Sequence, residues 1–177
     1  SRRLLAAWSA LGDGYLDEVE TAKNNLAVAL LDAGEPSEAL QLLEELADAR
    51  DARLGRGHPT TLVSLINLSS AWETAGQPEE SLRILQNIGA TVQERFANAH
   101  PSLISFRSAY ASALADVGRY EDASTLFLEN ARVHFERLGP NNPETLQAQA
   151  NGAFTWANLK RTADAAKACE EILTAIE

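Results

Sequence analysis

HPTTLVSLINLSSAWETAGQPEESLRILQNIGATVQERFANA, residues 58–99, is the stretch whose reading decides the architecture of this chain. The two residues after it are again His-Pro, His100 and Pro101, and forty-two residues further on Asn142-Pro143 opens the same pattern a third time. Self-similarity at a fixed period of ~20–50 residues is the signature of a repeat architecture, in which each unit buries its apolar face against its neighbours. Working outward from residues 58–99, the 177-residue chain reads as one continuous segment over 1–177, made of repeats at 16–57, 58–99, 100–141 and 142–177. Residues 1–15 read as the end of a truncated repeat. The sequence has no Met, not even at position 1, so a fragment of a larger protein is expected.

Each repeat predicts two helices. Helical spacing of apolar residues places them near Glu18–Ala33 and Ser37–Leu54, Thr60–Ala75 and Glu79–Phe96, Ser102–Val117 and Glu121–Leu138, and Glu144–Leu159 and Ala163–Ile176. The turns are Gly34-Glu35-Pro36, Gly76-Gln77-Pro78 and Gly118-Arg119-Tyr120, with Lys160-Arg161-Thr162 in the fourth repeat. Gly suits the position past a helix end and Pro the first position of the next helix. Before the first full repeat, Leu4, Leu5, Trp8 and Leu11 keep helical spacing until Gly12 and Gly14. Turns this short make neighbouring helices antiparallel. The expectation is an all-α solenoid of about nine helices.

Matching positions define columns. Ala29, Ala71 and Ala113 share one with Thr155, and Leu30, Trp72, Leu114 and Trp156 share the next, which assigns both late tryptophans to packing. On the second helices Leu43, Leu85, Phe127 and Cys169 align, as do Ala39, Ser81, Ala123 and Ala165. Small residues facing large ones are what interdigitated helices require.

Charge and residue types exclude several functions. Of the net charge of −10, most lies between Asp13 and Asp51, where eleven acidic residues meet only Lys23 and Arg50. A phosphate backbone is repelled by such a surface, so no nucleic-acid partner is expected. The acidic first repeat reads either as solvated surface or as a docking surface for a basic partner. No run approaches the ~18 apolar residues of a membrane span. Cys169 is the sole cysteine and reads as a packing residue in a reducing, cytoplasmic compartment. His58 and His100 sit at helix starts one repeat apart, with Leu16 and Asn142 at the matching positions, so they read as helix-start structure and not as metal ligands. His134 is read the same way. The pairs Glu44-Glu45, Glu79-Glu80 and Glu170-Glu171 read as solvated surface. No phosphate-binding loop, nucleophile elbow or metal spacing occurs, so no enzyme activity, cofactor or metal is expected.

Leu11-Gly12, Asn24-Asn25-Leu26-Ala27, Gly34-Glu35-Pro36-Ser37-Glu38-Ala39-Leu40, Leu54-Gly55-Arg56-Gly57-His58-Pro59, Asn67-Leu68, Gly118-Arg119-Tyr120-Glu121-Asp122-Ala123 and Leu138-Gly139-Pro140-Asn141-Asn142-Pro143 together carry a resemblance. They resemble the tetratricopeptide repeats of the kinesin-light-chain type, which are longer than the usual 34-residue version. Leu16-Asp17 in place of His-Pro and the missing turn Gly of the fourth repeat depart from that pattern. The resemblance implies a right-handed α-solenoid with the first helices lining a concave groove.

With the Trp72 column assigned to packing, the opposite stripe of each first helix faces that groove. The first repeat offers Thr21, Asn24, Asn25, Val28 and Asp32, and the second Val63, Asn67, Ser70, Glu73 and Thr74. The third offers Ser105, Ser108, Ala109, Ser112 and Asp116, and the fourth Gln147, Ala150, Asn151, Phe154 and Asn158. Asn25, Asn67 and Asn151 form one column, interrupted by Ala109. An amide both donates and accepts, so this ladder is suited to a peptide backbone; the alternative is bonding to neighbouring helices or water. No Lys or Arg is among these positions, which disfavours a carboxylate-gripping clamp and favours a neutral or basic segment with an apolar anchor near Phe154 or Val63. The leading expectation is a protein–protein interaction scaffold binding an extended peptide or partner helix. The alternatives are the sensor arm of a STAND-type signalling NTPase, packed against other domains of the parent protein, and a self-association module.

Overall fold

The computed structural model describes residues 16–158, and these form seven α-helices: α1 (Leu16–Asp32), α2 (Pro36–Leu54), α3 (Pro59–Thr74), α4 (Pro78–Arg95), α5 (Pro101–Asp116), α6 (Tyr120–Leu138) and α7 (Pro143–Asn158). Each lies within two residues of its expected position. The helices expected before Gly12 and over 163–176, the turn Lys160-Arg161-Thr162, and Ala165 and Cys169 lie outside the described residues. Five of the seven helices begin on a proline, where the missing N–H would have had no intrahelical partner and the fixed φ already suits the helix.

The columns at the helix starts share a task. His58 Nδ1 accepts from the backbone N–H of Thr60 at 3.3 Å, and His100 Nδ1 from that of Ser102 at 3.1 Å. Asn142 Oδ1 accepts from that of Glu144 at 2.9 Å. Histidine and asparagine are interchangeable here because each carries an acceptor two atoms beyond Cβ, within reach of an orphan donor of the first turn. His58→Ala is therefore expected to cost about 1 kcal/mol, and His58→Asn to keep most of it, as read from urea-denaturation midpoints. Equal midpoints for the two variants would show that the cap contributes nothing.

The first helices of three repeats end alike. Gly34, Gly76 and Gly118 take φ of 77°, 75° and 81°, and the following N–H in each case reaches back to the carbonyl of Leu30, Trp72 or Leu114 at 2.8–2.9 Å. That 6→1 bond closes a Schellman motif. The second helices are more discriminating. Gly55 and Gly139 adopt φ/ψ of 84°/154° and 83°/173°, a region open essentially only to glycine, and α2 and α6 run up to them. Ala97 stands at the matching place in the second repeat, and α4 ends earlier, at Arg95.

Two compact units divide the chain, Ser1–Ile84 and Leu85–Glu177, with the boundary inside α4. In the N-terminal unit Leu43, Leu46, Leu62, Ala27, Ala39 and Ala71 are buried, with Ser81 fully so. In the C-terminal unit Leu85, Ile88, Phe106, Leu114 and Phe127 are buried among Ala111, Ala113, Ala123 and Ala131, so the small–large alternation expected of the second helices holds at every described position. Ala29, unlike Ala71, Ala113 and Thr155 of its column, is exposed, and Trp72 and Trp156 are half-buried, short of full core positions.

One feature of the N-terminal unit is polar. Arg50 on α2 is buried and donates from Nε to Glu20 Oε2 on α1 at 2.8 Å and from Nη1 to Ser64 Oγ on α3 at 2.6 Å. Arg53 Nη2 reaches the other oxygen of Glu20 at 2.8 Å. Three consecutive helices are thus tied by one buried ion pair.

Candidate binding faces of the first helices

In the N-terminal unit, α1 and α3 present the predicted positions of the first two repeats. Asn67 Nδ2 donates to Asn24 Oδ1 at 2.8 Å, a bond directly between the two first helices. Asn25 remains exposed and lines a hollow of about 420 Å³ along α1 with Asp17, Glu18, Thr21 and Ala22. Val28, Asp32, Ser70 and Thr74 are exposed and Val63 is half-buried. Ser70 and Thr74 turn their hydroxyls back to the carbonyls of Ile66 and Ser70. Glu73 accepts a hydrogen bond from the fully buried Ser81 at 2.8 Å, so its carboxylate reaches toward α4, the second helix of its own repeat.

In the C-terminal unit the predicted positions come together around a cavity. Ser105 and Ser108 on α5 and Gln147 and Asn151 on α7 line a space of about 760 Å³. Its apolar lining is Ile104, Phe127, Leu138 and Ala148, and its rim includes His134 and Arg137 from α6 and Glu144 from α7. His134 Nδ1 lies 3.3 Å from a Glu144 oxygen, though not in hydrogen-bonding orientation. Arg137 donates to the carbonyl of Ala99 at 2.9 Å. The groove positions expected on the first helices include no Lys or Arg; the cation at this cavity, Arg137, comes from the second helix, which the first-helix columns could not reveal. Ala109 is buried, not groove-lining, because α5 turns that side into the core. Ser112 is half-buried, Asp116 and Ala150 are exposed, and Asn158 is exposed with its amide on the carbonyl of Phe154. Phe154 itself is 66% exposed.

Repeat equivalence accounts for the contrast between the two units. Asn24 and Asn67 match Ser108 and Asn151 two repeats on. The first pair is bonded; in the second, serine is shorter, and each member has another partner. Ser108 Oγ accepts from Asn130 Nδ2 at 2.9 Å, and Asn151 Oδ1 accepts from Gln147 Nε2 at 2.9 Å. The interior differs in the same sense. Glu20, Arg50 and Ser64 match Ile104, His134 and Ala148, so a place occupied by a guanidinium in the first case is lined by smaller groups in the second. First-helix spacing missed the second-helix residues Phe127, His134, Arg137 and Leu138 that line the cavity, and Asn130 behind Ser108. The signal for Asn130 was a polar residue in a column otherwise holding Leu46, Ile88 and Ile172.

No group of three or more His, Cys, Asp or Glu suited to a metal ion occurs among the described residues, and no described helix is long and apolar enough to cross a membrane.

Residues 18–87 match the tetratricopeptide repeat family. No curated protein matches the chain. Among solved structures it is similar to a kinesin-light-chain protein of Podosopora anserina with nearly identical TPR-like repeats, at 22% identity and a TM-score of 0.81, covering 88% of this chain and 74% of that one. A single-substitution variant of that protein gives a TM-score of 0.80 at 22% identity, covering 88% and 73%. BtubC (BKLC) from P. vanneervenii gives 0.80 at 12% identity, covering 98% of this chain and 69% of that one. These likenesses establish the fold as an all-α solenoid of tetratricopeptide type, in agreement with the kinesin-light-chain-like motifs of the sequence.

Proposed function

We propose that the chain is a non-catalytic protein-binding module that holds an extended segment of a partner against its first helices, with the cavity between α5 and α7 as the principal contact. The tetratricopeptide fold is generally a protein–protein interaction scaffold, and its repeats share a frame while their exposed residues differ, so the specific reading rests on the site. The observation that carries it is the cavity of the C-terminal unit, whose apolar lining is flanked by Ser105, Ser108, Gln147 and Asn151. An apolar space edged by a few fixed hydrogen-bonding groups is the usual form of a recognition pocket. The sequence carries a net charge of −10, which favours a neutral or basic segment over an acidic one.

The test uses the whole chain as bait for a random peptide library displayed on phage, and a selected peptide as the probe for fluorescence anisotropy. Gln147→Ala combined with Asn151→Ala is expected to weaken that peptide about tenfold or more. An unchanged affinity, with the fold intact by circular dichroism, would remove the cavity from the binding surface.

A further inference from the structure

Asn130 lies in α6 in a column that holds Leu46 and Ile88 in the preceding repeats and Ile172 in the last. It is 1% exposed, as buried as Leu46 and Ile88 themselves. Its Nδ2 donates both to the carbonyl of Ile104 and to Ser108 Oγ, each at 2.9 Å. Its Oδ1 is buried as well and has no partner among the described residues. A buried carbonyl without a donor is a net cost that Leu or Ile at the same place avoids. The polar residue therefore occurs in a repeat that borders the cavity, at an expense Leu46 and Ile88 do not carry, and its one hydrogen bond to a side chain among the described residues is to the cavity wall.

That contact fixes a polarity. A serine hydroxyl offers one hydrogen and two lone pairs. Asn130 fills a lone pair of Ser108, and no described residue accepts the hydroxyl hydrogen. On the facing helix Asn151 accepts from Gln147 and keeps its Nδ2 hydrogens uncommitted among the described residues. We propose that Asn130 is a positioning residue for this cavity: it fixes Ser108 as a hydrogen-bond donor, so that the bound segment presents a backbone carbonyl between Ser108 and Asn151 while an apolar side chain of the same segment covers Ile104, Phe127 and Ala148. This rests on the functional reading above and specifies its ligand, an extended peptide recognised through a main-chain acceptor.

The probe is the library-selected peptide, measured against the whole chain and the variants Ser108→Ala, Asn130→Leu and the two combined, each also unfolded in urea. Ser108→Ala is expected to weaken binding about tenfold. Asn130→Leu weakens it several-fold while leaving the urea midpoint equal or higher, and the double variant binds no worse than Ser108→Ala alone. Asn130→Ala, which adds no volume, gives the same loss of binding and covers the event that leucine does not fit. In a scan of the peptide by single thioamide substitution, which weakens one carbonyl acceptor at a time, one position loses affinity for the wild-type chain and loses less for Ser108→Ala, where Asn151 alone donates. If Ser108→Ala weakens binding and both Asn130 variants bind as wild type, or if Asn130→Leu lowers the midpoint and costs no affinity, the positioning role is overturned and the functional reading stands. If these variants and the Gln147/Asn151 double variant all bind as wild type, the functional reading falls with it.

Discussion

Glu20→Ala is expected to destabilise the N-terminal unit by about 3–5 kcal/mol, because it leaves a buried guanidinium without its carboxylate. Glu20 and Arg50 are 7% and 8% exposed, and the Nε–Oε2 distance is 2.8 Å. After the substitution Arg50 keeps, among the described residues, only the hydroxyl of Ser64, a neutral acceptor. The reverse deletion, Arg50→Val, is milder, since Glu20 retains Arg53 at 2.8 Å. The asymmetry is a property of the geometry and not of the charges alone. Apolar side chains occupy the matching positions of the next repeat. The second repeat carries Leu62 and Val92 there, both fully buried. Glu20→Leu with Arg50→Val should therefore recover most of the loss, as buried ion pairs replaced by packed hydrophobes commonly do. Urea denaturation of the three variants reads this directly, and a cost below about 1 kcal/mol for Glu20→Ala would show that water reaches the guanidinium and screens it.

The same comparison marks what could be read in the sequence. Helix positions followed from apolar spacing and turn chemistry, since Gly and Pro act within a few residues of where they stand. The caps at His58 and His100 were legible as helix-start structure, though what unites them with Asn142, an acceptor for the N–H of the residue after the first-position proline, is visible only in the side-chain geometry. The long-range polar bonds were not legible. Glu20 and Arg50 are thirty residues apart, and nothing local to either names the other. Their trace is a charged residue in a column that elsewhere holds Leu62 and Ile104, or Val92 and His134, and Asn130 leaves the same kind of trace beside Leu46 and Ile88. Such deviations indicate that a position has a polar task and leave its partner unnamed. The asparagine ladder shows the converse limit. Asn25, Asn67 and Asn151 are equivalent by repeat, yet Asn67 bonds to Asn24, one residue off the column. Equivalent positions are not nearest neighbours when packed helices meet with an offset in register, so a column read from sequence identifies a face without identifying contacts.

The same offset in register bears on Ser108→Asn. The substitution gives the C-terminal unit the residue that the N-terminal unit carries at the matching place, opposite Asn151, which matches Asn67. Asn67 donates through Nδ2, and the same atom of Asn151 has no acceptor among the described residues, while its Oδ1 serves Gln147. The new side chain is thus expected to bond across to α7, to take up part of the 760 Å³ space, and to remove the hydroxyl donor from its wall. Binding of the library-selected peptide should fall on the order of a hundredfold, roughly 2.7 kcal/mol, the size of loss expected when a contact at the centre of a small interface is blocked and not merely trimmed. The urea midpoint should hold or rise slightly, since a hydrogen bond between helices is gained. Asn24→Ser, the reciprocal change, should cost about 1 kcal/mol of stability in the N-terminal unit and leave peptide affinity unaltered. Wild-type affinity in Ser108→Asn would mean that the peptide lies elsewhere. Equal losses from Ser108→Asn and Asn24→Ser would mean that the first helices of both units are read together, with no privileged cavity between α5 and α7.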